Sequence, residues 1–279
     1  MRLRVACVAV QRYCRRMDQL LETRNEKRNG RGFFARLTGR ARPAAARVPD
    51  GVRVYAVGDI HGCALQLDRL LGAIQADAAS HTGLVQLVFL GDYVDRGPDS
   101  KGVIDRLLAL PPGFSPRFLM GNHDQAILDF LRDPAFYRAW RNFGAAETLV
   151  SYGIKPPLFD RAEGFVAARD QFAKALPHQH LRFFEKLELH IRIGDYFFAH
   201  AGVRPGIALE QQMAEDLLWI RDEFLMSKND FGAVVVHGHT PGDRPVRRSN
   251  RICVDTGVYA TGRLTAAVLH GEHCDFLAT

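Results

Sequence analysis

Five short segments constrain this chain of 279 residues more than anything else in it. They are Gly58-Asp59-Ile60-His61-Gly62, Gly91-Asp92-Tyr93-Val94-Asp95-Arg96-Gly97, Gly121-Asn122-His123-Asp124, His200-Ala201-Gly202 and His237-Gly238-His239. Each follows a short strand-like run: Val52 to Val57, Val85 to Leu90, Arg117 to Met120, Tyr196 to Ala199 and Val234 to Val236. Between the first runs lie stretches of helical spacing, one with Leu67, Leu70, Leu71 and Ile74, the other from Ser100 to Leu110 with Asp99 as its N-cap. Strands alternating with helices predict an α/β, or layered α+β, domain. In such sheets ligands gather beyond the carboxyl ends of strands, where these segments fall.

The rest of the chain reads as one domain over residues 51–279, with a helical insertion at about 125–187 beside the site. Gly194-Asp195 marks a hairpin between Leu189 to Ile193 and Tyr196 to Ala199, and the last third is strand-rich. Hydrophobic residues make up 47% of the chain, enough for a sizeable core. No apolar run approaches the roughly 20 residues of a membrane-spanning helix.

Charge is unevenly spread. Residues 1–50 hold 13 Lys and Arg against 4 Asp and Glu, whereas residues 51–279 hold 24 against 27. The net charge of +6 therefore belongs to a basic N-terminal extension, ending in a Pro/Ala/Arg linker, and the domain itself gives no support to specific nucleic-acid binding. Tyr13, Met17, Leu20 and Leu21 recur at helical spacing within the arm, so weak contact with an acidic surface is one reading and a solvated extension the other. Five cysteines without CxxC pairing suit a reducing compartment, so a cytoplasmic location is expected.

Asp, Asn and His supply hard oxygen and imidazole donors for a divalent metal, while Gly lets the backbone turn sharply beside it. The absence of cysteine from the set argues for a catalytic over a structural site. One ion would take Asp59, His61 and a shared Asp92; a second would take Asp92, Asn122, His200 and His239. Ions sharing a carboxylate sit roughly 3.5–4 Å apart in two-metal phosphoesterases, where water between them is acidified toward hydroxide for in-line attack on phosphorus. Arg96, and less securely Arg221 in Trp219-Ile220-Arg221, offers a planar fork to phosphate oxygens. His123 is the candidate general acid, with Asp95 orienting its imidazole.

The five motifs, in this order over roughly residues 54–270, resemble the phosphoprotein phosphatase (PPP) family of metallophosphoesterases. The resemblance implies a calcineurin-like β-sandwich flanked by helices, two divalent ions (manganese first, iron or zinc as alternatives) and phosphomonoester hydrolysis. It assigns the same ligand, phosphate-binding and acid roles to the residues above. Gly-Asn-His-Asp, His-Gly-His-Thr and Trp-Ile-Arg are similar to bacterial and phage-type members. Asp95 favours a protein serine/threonine phosphatase acting on a phosphorylated protein or small phosphoester. Symmetrical dinucleoside tetraphosphate hydrolases, which resemble this scaffold but carry Val-Ala-Arg-Gly in place of Tyr-Val-Asp-Arg-Gly, are the alternative. A non-catalytic basic-tailed binding module is a third.

Other polar residues read as structural. Asp124 is expected to cap the following helix, and Asp255, in Val254-Asp255-Thr256-Gly257, to make a turn or support a ligand. His239 stands ahead of His237 by motif register alone. His81, His178, His180, His190, His270 and His273 carry no assigned role, and Cys63 reads as a small buried bystander.

Overall fold

The computed structural model describes residues 45–279. The basic arm, with its helix-spaced Tyr13, Met17, Leu20 and Leu21 and its expected contact with acidic surfaces, falls outside them but for residues 45–50. The described chain forms two five-stranded sheets packed as a sandwich with helices on both outer faces. The first sheet has the order β10 (His273–Ala278), β9 (Thr265–His270), β1 (Val52–Val57), β2 (Leu84–Phe89), β3 (Ser115–Phe118). The second runs β4 (His190–Ile193), β5 (Tyr196–Ala199), β6 (Val234–His237), β8 (Arg251–Cys253), β7 (Val246–Arg247).

Alternation along each strand builds the layers. Val54 and Ala56 of β1 face the second sheet, in one apolar cluster with Phe198, Val236 and Ile252. Their neighbours Tyr55 and Val57 face outward, against Leu67, Leu70 and Ile74 of α1 (Ala64–Ala78). α2 (Ser100–Leu108), which Asp99 caps by accepting a bond from the Gly102 amide at 2.8 Å, packs on the same face. Between β3 and β4 the chain is largely helical: α3 (Asn122–Arg132), α4 (Tyr137–Trp140), α5 (Ala145–Ser151), α6 (Ala162–Ala175) and α7 (His178–Glu185). Phe130, Tyr137, Trp140 and Phe172 form its aromatic core. The short helices α8 (Ala214–Trp219) and α9 (Asp222–Leu225) cover the second sheet, where Leu217 and Phe224 meet Phe197 and Val235. α10 (Val258–Thr261) lies between β8 and β9.

Strands β1, β2 and β3 are mutually parallel, as are β5, β6 and β8. The five motifs, together with Asp255 after β8, therefore leave the carboxyl ends of parallel strands. β3 begins two residues before the sequence suggests. It is an edge strand, and Pro116, which lacks an N–H, is tolerated there.

The domain, expected to start at residue 51, begins a few residues earlier, inside the stretch that reads as linker. Val48 is fully buried in the sandwich cluster, and its amide donates to Gly271 O at 3.0 Å. The Arg47 amide donates to Asp195 Oδ2 at 3.0 Å, so the hairpin turn holds residues whose composition reads as loose. A single valine among Arg, Ala and Pro carries no periodicity, hence the misreading. Val48→Ala is expected to lower unfolding free energy by roughly 1–3 kcal/mol, measured in urea. A loss below about 0.5 kcal/mol would show that this segment contributes little.

Candidate metal centre

Among the described residues, the non-glycine residues with positive φ are His61 (45°), Asp92 (53°), Asp95 (72°), Arg96 (67°) and His239 (63°), every one inside a motif. Such backbone costs on the order of 1 kcal/mol or more per residue and persists where surrounding contacts over-determine it. Here they do. The Asp124 carboxylate accepts from the amides of Asp92 (2.8 Å), Tyr93 (3.0 Å) and Gly121 (2.9 Å), so the helix cap also ties two loops together. The Asp59 carboxylate accepts from the His239 amide at 3.1 Å, joining the two sheets. Two glycines are required by close approach: a Cβ at Gly121 would stand 2.1 Å from Asp92 Oδ1, and one at Gly238 would stand 2.0 Å from Asp59 Oδ1.

The donors converge in two neighbouring groups. His200 Nδ1 donates to Leu90 O at 2.9 Å, leaving Nε2 to face Asn122 Oδ1 at 2.9 Å, His239 Nδ1 at 3.1 Å and Asp92 Oδ2 at 3.4 Å. His61 Nδ1 donates to Val94 O at 2.9 Å, and its Nε2 faces Asp92 Oδ2 at 3.6 Å and Asp59 Oδ2 at 4.0 Å. Burial, then the neighbouring His123, lowers the His61 pKa to about 3. Burial likewise lowers His200, and burial with His200 and Arg221 lowers His239, so the three rings are neutral near pH 7. Burial and the charges of Asp255 and Asp92 raise the Asp59 carboxyl well above its ordinary range. Electron pairs crowded in this way repel one another unless a cation lies among them. Spacings near 3 Å are those of atoms held about 2.1 Å from a common ion. The residues therefore fit two ions in neighbouring sets that meet at Asp92.

His123 stands beside these sets. Its Nδ1 lies 2.7 Å from Asp95 Oδ2, and its Nε2 lies 3.3 Å from Arg96 Nη2 and 3.8 Å from Asp92 Oδ2. The fully buried Asp95 carboxylate also accepts from Trp140 Nε1 at 2.8 Å and Thr148 Oγ1 at 2.6 Å, while its amide donates to Ser100 Oγ at 3.1 Å and Thr148 Oγ1 at 2.9 Å. Sequence reasoning missed Trp140 and Thr148, which carry no local signature. Asp255 makes the turn expected of it. It is buried, accepts from the Gly257 amide at 2.9 Å, and its carboxyl is pushed up to about 6 by burial and then by Asp92.

At the rim, the Arg96 guanidinium lies 4.6 Å above the ring of Tyr259, an aromatic that the sequence did not single out. Arg221 is exposed at the start of α9, close enough for its charge to act on His200 and His239. Trp219 packs toward His239, ring centres 6.2 Å apart. Cys63 is buried, with its thiol pushed up to about 11 by burial. His180, left without a role, is buried between Tyr152 Oη and Asp105 Oδ1, each at 2.9 Å.

His237 turns away from the cluster: it packs on Phe224, and burial lowers its pKa to about 4. The unfolded chain then binds a proton that the native ring refuses between about pH 4 and 6.5, so this residue's contribution makes stability fall as pH drops through that window. His237→Phe is expected to reduce the stability lost between pH 7.5 and 5 by about 2 kcal/mol, measured in urea at both values. An unchanged loss would assign acid sensitivity elsewhere. Gly238→Ala is expected to lower the melting temperature by several degrees through the clash with Asp59 and to weaken metal retention at least about tenfold in metal analysis. Full retention would mean that the Asp59 contact can shift freely.

A family description, calcineurin-like phosphoesterase, matches residues 52–262. The asymmetrical bis(5'-nucleosyl)-tetraphosphatase PrpE of Anoxybacillus flavithermus is 25% identical, over 75% of this chain and 87% of the relative. A symmetrical bis(5'-nucleosyl)-tetraphosphatase of Acidovorax sp. is 34% identical, over 58% of this chain and 48% of the relative, so the chain spans about half its length. Serine/threonine-protein phosphatase 1 of Salmonella typhimurium is 31% identical, over 77% of this chain and 90% of the relative. A crystal structure of a candidate diadenosine tetraphosphatase shares the fold, with a TM-score of 0.57, 24% identity, and coverage of 84% of this chain and 98% of that one. Two sheets meeting at a crowded edge of oxygen and imidazole donors, matched by that description across most of the chain, make this protein a metal-dependent phosphoesterase of the calcineurin-like phosphoesterase family.

Proposed function

We propose that the enzyme hydrolyses a bis(5'-nucleosyl) tetraphosphate. The observation carrying this reading is that relatives named as tetraphosphatases include one matched along 87% of its own length and one at 34% identity. This departs from the protein phosphatase expected from Asp95. That second reading keeps the support of the Salmonella typhimurium phosphatase, matched along 90% of its length.

Asp59 and His61 would hold one divalent ion and Asn122, His200 and His239 another, with Asp92 facing both. When bound, these ions supply Lewis acidity to phosphate oxygens and lower the pKa of water that attacks phosphorus. The oxygen and nitrogen donor set, free of sulfur, suits manganese, iron or zinc, and manganese is the first choice to test. Arg96 presents its fork to the phosphate oxygens, with Arg221 as a second cation at the rim. His123 hands a proton from Nε2 to the departing oxygen, while the bond from its Nδ1 to Asp95 fixes the ring's direction. Trp140 and Thr148 keep that carboxylate in place.

The two readings differ in how much the leaving group needs that proton. A nucleotide departing from an anhydride is already stable as an anion, whereas a serine alkoxide is not. His123→Asn is therefore expected to cut turnover of a phosphoserine peptide by about 10²- to 10⁴-fold and of diadenosine tetraphosphate by less than about tenfold, metal content unchanged. Equal losses on both would remove His123 from proton donation. Under Mn²⁺, wild-type kcat/KM is expected to be at least about tenfold higher for diadenosine tetraphosphate than for the phosphopeptide. The reverse order would establish the protein phosphatase reading.

A further inference from the structure

A cavity of about 430 Å³ opens beside the metal-facing loops, between the starts of α1 and α2 and the short helix α10. Its position is set by the catalytic motifs. Cys63 in its wall lies two residues after His61, Pro98 two after Arg96, and Tyr259 touches both motifs, its ring under the Arg96 guanidinium and 5.4 Å from His61. Arg96 therefore stands at the junction between the phosphate site and this cavity.

The lining determines what it can hold. Leu65, Pro98, Val258 and Tyr259 give it an apolar wall, with Leu65 57% and Tyr259 41% exposed although nothing else in the described fold covers them. Gln66, Asp68 and Asp99 add hydrogen-bonding groups to the lining. Arg106, the cation of this lining, is already engaged: its Nε meets Asp68 at 2.8 Å, its Nη1 donates to Gly102 O at 2.9 Å, and Asp99 lies 3.7 Å away. Phosphate finds no free positive charge here and stays at Arg96. A flat, neutral, partly apolar group with N–H donors does fit, because both carboxylates keep spare acceptor sites. The volume lies in the range of small-ligand pockets.

We propose that this cavity is the subsite for one nucleoside of the substrate, its base lying against Leu65 and the Tyr259 edge with its phosphates leading back past Arg96. The inference rests on the nucleotide reading above and names where that substrate is recognised. The geometry also makes Leu65 a specificity residue remote from the metal donors and the acid pair.

The test uses the full chain loaded with Mn²⁺ and compares wild type with Leu65→Glu. Leu65 lies exposed in the first turn of α1, where a carboxylate is favourable to a helix. Adenosine monophosphate and inorganic phosphate are titrated by calorimetry. Wild type is expected to bind the nucleotide at least about tenfold more tightly than phosphate, and Leu65→Glu to bring the two within about twofold. Any effect of the added charge on phosphate itself cancels in that ratio. Equal binding of both by wild type, or a preference surviving Leu65→Glu, overturns the subsite. A phosphopeptide KM that rises about tenfold in Leu65→Glu while the nucleotide binds no better than phosphate also overturns it, and assigns the recess to peptide. Turnover of diadenosine tetraphosphate is measured in parallel. If the nucleotide preference is lost in the variant but wild type cleaves no diadenosine tetraphosphate, the nucleoside subsite stands and the tetraphosphate reading falls.

Discussion

Mutual repulsion among buried donors governs this molecule. Asp59, Asp92, Asp255, Asn122, His61, His200 and His239 are all nearly inaccessible to solvent, and several of their oxygen and nitrogen atoms crowd together at 2.9–3.6 Å. Burying one such charge is costly. Burying several together is sustainable only because the scaffold resists their separation and because cations can lie among them. The phosphoesterase activity follows from the same crowding, since a site that demands positive charge also attracts and polarises phosphate oxygens.

The scaffold resists through backbone as much as through packing. Asp124 uses its carboxylate to gather three amides from two loops, and Asp59 uses its own to catch the amide of His239 from the opposite sheet. These bonds hold Asp92 and His239 in left-handed conformations that a free backbone would leave. Such contacts leave little reorganisation to be done when ligands arrive.

Much of this was legible in the chain itself. Strand runs ending in Gly-Asp, Gly-Asn-His and His-Gly-His located the parallel strands and predicted which side chains would meet, because residue chemistry and strand position carried the same message at each place. The hairpin at Gly194 and the Asp99 cap were equally local and equally readable. What was not legible depended on distant partners. Trp140 and Thr148 reach Asp95 across roughly fifty residues of sequence without any spacing to announce them. Val48 owes its place to the sandwich cluster and to Gly271, far along the chain. Tyr259 matters because a fold places it beneath Arg96. Substrate choice was the hardest part, since Asp95 alone pointed to phosphoproteins whereas relatives spread over both substrate classes.

The attachment of Asp95 to Trp140 and Thr148 ties the proposed proton donor His123 to the helices between β3 and β4, while the proposed ion ligands hang mainly from the two sheets. The proposed acid and the proposed ion ligands are thus mounted on different parts of the fold. A change that loosened the helical portion alone would misalign the imidazole and leave the ion ligands in place. Inactivation would then run ahead of the global melt, striking substrates with basic leaving groups first and sparing those whose departing oxygen needs no help.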